Sequence, residues 1–255
     1  MTEIYVNESL KIIQDKNNIM MYKIEFNYPC PSLVRSLMKT HIIKGGTISD
    51  DYSCLRFKAL SVVPFHRFCE QHKVERGSKV LSINSAVNML SSLSTQLNYL
   101  ITKEHKTIIG YAPENIIVIN GEKSAFLGSE LIAEIDPERT EMAIISCPFK
   151  VKDFFVSPEL LTIKELPAYV HYKTSYFSLG CLLLFALTDD SVALTDDSSG
   201  EDFYKEYLKE INCNKIHEHL NQLHFKNTKF YWLLSRCLVE DPKKTQYFIH
   251  IIKMV

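Results

Sequence analysis

The hydrophobic period of this chain changes at one place. From Leu81 onward apolar residues recur at spacings of three and four. Ile83, Ala86, Val87, Leu90, Leu93, Leu97, Leu100 and Ile101 fall on one face of a helix that Ser82 can cap. Before that point the pattern is strand-like. Ile19–Phe26 and Cys54–Val63 each read as a strand, and between them Pro31–Ile43 fits a short helix that buries Leu33, Leu37 and Ile42. The chain is therefore expected to be α+β, a small β-rich part followed by a larger and mostly helical one. The expected domains are residues 1–65 and 66–255, with the junction between Val62 and Phe65.

Within the second part, Ile116–Ile119 and Glu122–Leu127 flank Asn120-Gly121, the dipeptide best suited to a tight hairpin, so two short strands are expected there. Tyr176–Leu187 is apolar nearly all round, as a central core helix is. It runs into Ala186-Leu-Thr-Asp-Asp-Ser191, which is repeated as Ala193–Ser198. The repeat is dense in Asp and Ser and reads as an exposed acidic loop. Helical spacing returns in Phe203–Leu208, Ile216–Leu223 and Phe230–Cys237, and Phe248–Ile252 closes a last helix.

Composition narrows the function classes. Twenty-nine Lys and Arg against thirty Asp and Glu leave a formal charge of −1, so no global field favours nucleic acid or an anionic membrane. The longest apolar run, Leu179–Leu187, is far shorter than the roughly 20 residues a bilayer needs, and the polar amino terminus lacks a signal-peptide core. The expectation is a soluble intracellular protein of the cytoplasm or nucleus. Seven cysteines form no C-x-x-C pair, which predicts reduced and buried thiols. None of the eight glycines precedes Gly45, so a glycine-rich phosphate loop near the amino terminus has no raw material.

Four segments, taken in order, resemble the eukaryotic protein kinase fold. Pro113-Glu-Asn115, with the apolar residues and Asn-Gly hairpin after it, is similar to the catalytic loop and the strands that follow. Ser157-Pro-Glu159 resembles the Ala-Pro-Glu motif. Tyr176-Phe-Ser-Leu-Gly180 resembles the core-helix motif, and Cys237-Leu-Val-Glu-Asp-Pro242 resembles the motif near the end of the large lobe. The resemblance implies a two-lobed fold with a reduced β-rich N-lobe and a mostly helical C-lobe.

It also implies which positions would carry chemistry, and most of those are replaced. Kinase catalysis is positioning and electrostatics around a nucleotide and Mg²⁺. The catalytic His-Arg-Asp stands here as Ile108-Ile109-Gly110, which removes the general base. The catalytic-loop Lys is Ala112. Asn115 matches the metal-binding Asn, but the Asp of Asp-Phe-Gly aligns with Leu127, or with Phe126 on a one-residue shift, and neither offers the oxygen that Mg²⁺ requires. Lys23 is similar to the nucleotide lysine, yet Pro31–Ile43 contains no acidic partner for it. Two structural ties are altered as well. The core-helix Asp is Ser175, and the Arg that pairs with the Ala-Pro-Glu carboxylate is Thr245, which leaves Glu159 to Lys243, Lys244 or water.

The expectation is a catalytically inactive kinase homologue, a pseudokinase, acting through protein contacts as a scaffold or allosteric regulator, with Lys23 and Asn115 as remnants. No catalytic residue, cofactor or metal is expected. His217-Glu-His219 does not place both imidazoles on one helix face. The expected partner is a protein, an active kinase among the candidates, and Asp189, Asp190, Asp196 and Asp197 are its expected docking residues. Self-association through Lys243-Lys244 is a further option. The alternatives are an unorthodox nucleotide-binding enzyme or weak kinase, and a large-lobe module used purely as scaffold. By fold-level analogy a virus or parasite is a candidate source.

Overall fold

The computed structural model describes residues 2–76, 81–145, 155–187, 213–222 and 225–245. It opens with three strands, β1 (Thr2–Val6), β2 (Leu10–Gln14) and β3 (Met21–Phe26), followed by helix α1 (Pro31–Lys39) and strands β4 (Thr47–Ile48) and β5 (Cys54–Lys58). These strands form one antiparallel sheet in the order β1-β2-β3-β5-β4. Alternation decides its faces. Tyr22, Ile24 and Phe26 of β3 and Leu55 and Phe57 of β5 join the core that also takes Leu33, Val34 and Leu37 of α1. Met21, Lys23 and Glu25 lie on the other face.

Two sequence expectations change here. The strand expected over Cys54–Val63 is two strands of different sheets, because the chain turns between them. The Ala59 amide donates to Met20 O at 2.9 Å, and the Leu60 and Ser61 amides donate to Asn120 Oδ1. The second piece, β6 (Val62–Pro64), pairs with a strand of the later half. The helix expected over Pro31–Ile43 stops at Lys39, since His41 adopts φ 57° in the left-handed region. Ile42 and Ile43 are still buried, just past its end.

After β6 come α2 (Phe65–Arg76), α3 (Ile83–Glu104) and β7 (Lys106–Ile108). Ser82 caps α3, its side chain accepting from the Ser85 amide, and the periodic residues Ala86, Leu90, Leu93, Leu97 and Leu100 are all buried. The hairpin forms as expected from β8 (Ile116–Ile119) and β9 (Lys123–Phe126). Asn120 at φ 54° and Gly121 at φ 71° supply the paired left-handed residues of its turn, closed by the Glu122 amide on Ile119 O at 3.1 Å. Strands β6, β8 and β9 form a second antiparallel sheet. A third consists of β7, β10 (Ile132–Asp136), β11 (Glu141–Ile144) and β12 (Ala168–His171). The helices after β11 are α4 (Pro158–Leu161), α5 (Thr174–Leu187), α6 (Cys213–Gln222) and α7 (Lys229–Cys237).

The fold is thus mixed α+β with antiparallel sheets. One core cluster runs from Leu10 of β2 to Leu238 beyond α7, through nearly all of α5. Among the described residues no helix is long and apolar enough to cross a membrane. Cys181 and Cys237 are buried, whereas Cys30, Cys54 and Cys69 are only half-buried, less than the expected burial. The doubled acidic segment with Asp189, Asp190, Asp196 and Asp197, and the helices expected over Phe203–Leu208 and Phe248–Ile252, lie outside the described residues.

Candidate functional site

The segment that resembles a catalytic loop is folded as a buried connector between β7 and β8. Tyr111 donates its amide to Ser178 Oγ on α5 at 2.7 Å, and its carbonyl accepts the Phe155 amide at 3.0 Å; Ser178 Oγ in turn donates to Phe155 O. Ser175 Oγ donates to Ile108 O at 2.5 Å and shares a hydrogen bond with Thr107 Oγ1. Ser175, where the resemblance expects an Asp, thus still ties α5 to the connector. The shorter side chain reaches the loop backbone directly, and Ser178 makes a second tie three residues on, on the same helix face.

The positions that the resemblance aligns with catalytic residues are all interior. Ile108 and Leu127 are fully buried, Ile109 and Ala112 nearly so, and Gly110 is buried with them. Phe126, the alternative alignment position, is also fully buried and meets the Tyr111 ring edge-on at 5.2 Å. Either alignment therefore puts an apolar side chain in the core. The Tyr111 hydroxyl is enclosed with no hydrogen-bond partner among the described residues, and burial pushes its pKa well up, so it stays a neutral phenol.

Asn115 is the one polar residue of this segment held at the centre of a network. It is 3% exposed. Its Nδ2 donates to Glu130 Oε1 at 2.6 Å, and its Oδ1 accepts from Asn7 Nδ2 at 3.0 Å. Its backbone is used too, since Asn115 O accepts the Leu127 amide at 2.8 Å. Gly128 fits beside it only without a side chain. A Cβ there would stand 2.5 Å from Asn115 Nδ2 and 2.8 Å from the Phe126 ring. Gln96, buried in α3, completes the support by exchanging two hydrogen bonds of 2.9 Å with the Phe126 backbone and donating to Ser36 of α1 at 3.2 Å.

Lys23 is not brought to this network. It forms an ion pair with Glu25 on its own strand and sits opposite Arg56 of β5, on the face away from the core. Helix α1 is tied elsewhere. Arg35 grips Glu104 at the end of α3 with two hydrogen bonds of 2.9 and 2.6 Å, and this guanidinium holds the Glu104 carboxyl below its ordinary pKa.

The expected partners of the Glu159 carboxylate are Lys243, Lys244 or water; it is half-buried and accepts from Thr174 Oγ1 at 2.8 Å, a partner not expected, and the same hydroxyl bonds Ser157. Thr245, in the aligned Arg position, is buried; its carbonyl takes Lys173 Nζ at 3.1 Å. Gly180 of α5 comes against Cys237 and Leu238, so the core-helix segment and the late segment meet. Among the described residues no three His, Cys, Asp or Glu side chains converge on a metal-sized site.

Sequence reasoning missed Asn7, Gln96 and Glu130. Asn7 had a local signal, an Asn two residues before a buried Ser-Leu pair, which is the pattern of a side chain that accepts its own following amides. Gln96 had one as well, as a polar residue on the apolar stripe between Leu93 and Leu97. No known protein-family model matches this chain, and no curated protein matches it either.

Proposed function

We propose that the chain is a kinase-like protein that transfers no phosphate and works through protein contacts. The observation that carries this reading is the burial of Ile108, Ile109, Gly110, Ala112 and Leu127, the positions that the resemblance aligns with the general base, the loop lysine and the metal carboxylate. A charged group introduced at any of them would have to be desolvated, and no nucleotide oxygen has a cation or carboxylate-held metal to meet there. A five-stranded antiparallel sheet with one helix, followed by helix-rich chain, is compatible with a small lobe and a large lobe in series. The hydroxyl ties from Ser175 and Ser178 to the loop support the same reading, because they hold the segment in place without any charged catalytic group.

Thermal denaturation with millimolar ATP and Mg²⁺ tests the first half. A ligand at a hundred times its Kd stabilises a fold by about 2.7 kcal/mol, several degrees in Tm for a chain of this size. The expected shift is negligible. A clear upward shift that Lys23→Ala abolishes would overturn the reading in favour of a nucleotide-binding enzyme. Affinity capture tests the second half. Asp189, Asp190, Asp196 and Asp197 changed together to Asn should weaken partner binding and flatten its dependence on salt. Identical partners and salt response for both proteins would remove the acidic repeat from the interface.

A further inference from the structure

We infer that Asn7 is a latch: its side chain fastens the β1–β2 turn onto Asn115, so that protein, not ligand, satisfies the buried amide of the connector segment. The meaning of Asn115 as the kinase metal position rests on the reading above; the latch itself rests on the contacts alone. Asn7 uses both ends of its amide. Oδ1 accepts the amides of Ser9 at 2.9 Å and Leu10 at 2.8 Å, which shapes the turn, while Nδ2 donates to Asn115 Oδ1 at 3.0 Å and approaches Glu114 O at 3.4 Å. Because Asn115 Nδ2 is already given to Glu130, the chain Asn7–Asn115–Glu130 has one consistent direction, and reversing either amide would set oxygen against oxygen.

The turn is held from a second side as well. The Tyr5 ring of β1 lies 5.9 Å from the His66 ring of α2, and burial lowers the His66 pKa. In the kinase reading this turn is where a glycine-rich loop would arch over nucleotide. Here it carries no glycine and is fastened down onto the very side chain that would have met the metal. The device is a closed strap between the first sheet and the connector, held by the Asn7 to Asn115 hydrogen bond.

Asn7→Asp separates the latch from the turn. The carboxylate still accepts the Ser9 and Leu10 amides, but it cannot donate to Asn115, and it faces Asn115 Oδ1 with like polarity. Native-state amide exchange, run in EDTA so that no stray metal bridges the introduced carboxylate and Glu130, reads the result. The Asn115 and Leu127 amides should exchange about tenfold faster, Ser9 and Leu10 should change much less, and amides of α7 not at all. In an Asn115→Ala background the added effect of Asn7→Asp should vanish. Unchanged exchange at Asn115 and Leu127, or equal acceleration at every amide including α7, would overturn the latch. Either result is independent of the nucleotide shift that tests the kinase reading. Should Asn7→Asp fail to fold, Asn7→Ala in the same measurement keeps the comparison between Leu127 and α7.

Discussion

Leu127 lies where the kinase resemblance calls for a carboxylate, packed in the core with its amide on Asn115 O. Restoring Asp there would remove a buried apolar side chain and enclose an unpaired acid, a combined cost of several kcal/mol. The enclosed acid would hold its proton, so its folded pKa would rise above the unfolded value. Stability then falls as pH rises through the carboxylate range, and Leu127→Asp should melt far below wild type at pH 7 and closer to it at pH 4. The double variant Gly110→Asp, Leu127→Asp should incorporate no labelled phosphate into a generic substrate, because such residues act only as a set. A second residue-scale expectation concerns Gly128. Its Cβ would press on Asn115 and on the Phe126 ring, both immobilised, so Gly128→Ala should lose about 1–3 kcal/mol in denaturant unfolding.

Between elements, the paired groups that matter are few. Helix α1 is joined to α3 by Arg35 and Glu104 and by the Gln96 to Ser36 hydrogen bond. The Glu104 side chain is 11% exposed and that of Arg35 38%, so the ion pair is partly screened, and a contribution of about 1–2 kcal/mol is the reasonable scale. The Arg35 hydrogen bond lowers the Glu104 pKa. A depressed carboxyl pKa contributes stability that is present above the unfolded value and lost as pH falls through the folded one. Arg35→Gln should therefore be less stable than wild type at pH 7, and the gap should close as pH falls below about 4.5, the ordinary value for Glu. A gap that stays constant with pH would mean that Arg35 contributes through its packing and not through its charge on Glu104.

Over the whole molecule, one apolar cluster runs through the first sheet, α3, the β8–β9 hairpin, α5 and α7. Strand β6 pairs across the expected junction with β8, and the Asn7, Arg35 and Asn120 contacts cross it at three further places. Parts joined by continuous core and by hydrogen bonds on several sides unfold together. Far-UV circular dichroism and the fluorescence of Trp232, the single tryptophan, exposed on α7, should give coincident transitions in denaturant. Two separated transitions would mean that residues 1–65 and 66–255 are thermodynamic units of their own.

Local patterns in the chain were enough to determine α3 with its Ser82 cap, the Asn120-Gly121 turn and the burial of nearly all of Tyr176–Leu187, because each is set by spacing or dihedral preference within a few residues. That Ile108, Ile109, Gly110, Ala112 and Leu127 carry no charge is likewise visible without coordinates. Pairing over long separations was left to the tertiary structure. Nothing near Val62 announces that it will leave the first sheet for β8, and nothing near Glu159 selects Thr174 over a lysine. The same holds for the Asn7–Asn115–Glu130 chain. Its members lie 108 and 15 residues apart, and an amide hydrogen bond shows no period in sequence; it forms because folding buries polar groups that must then find whichever partner the packing brings.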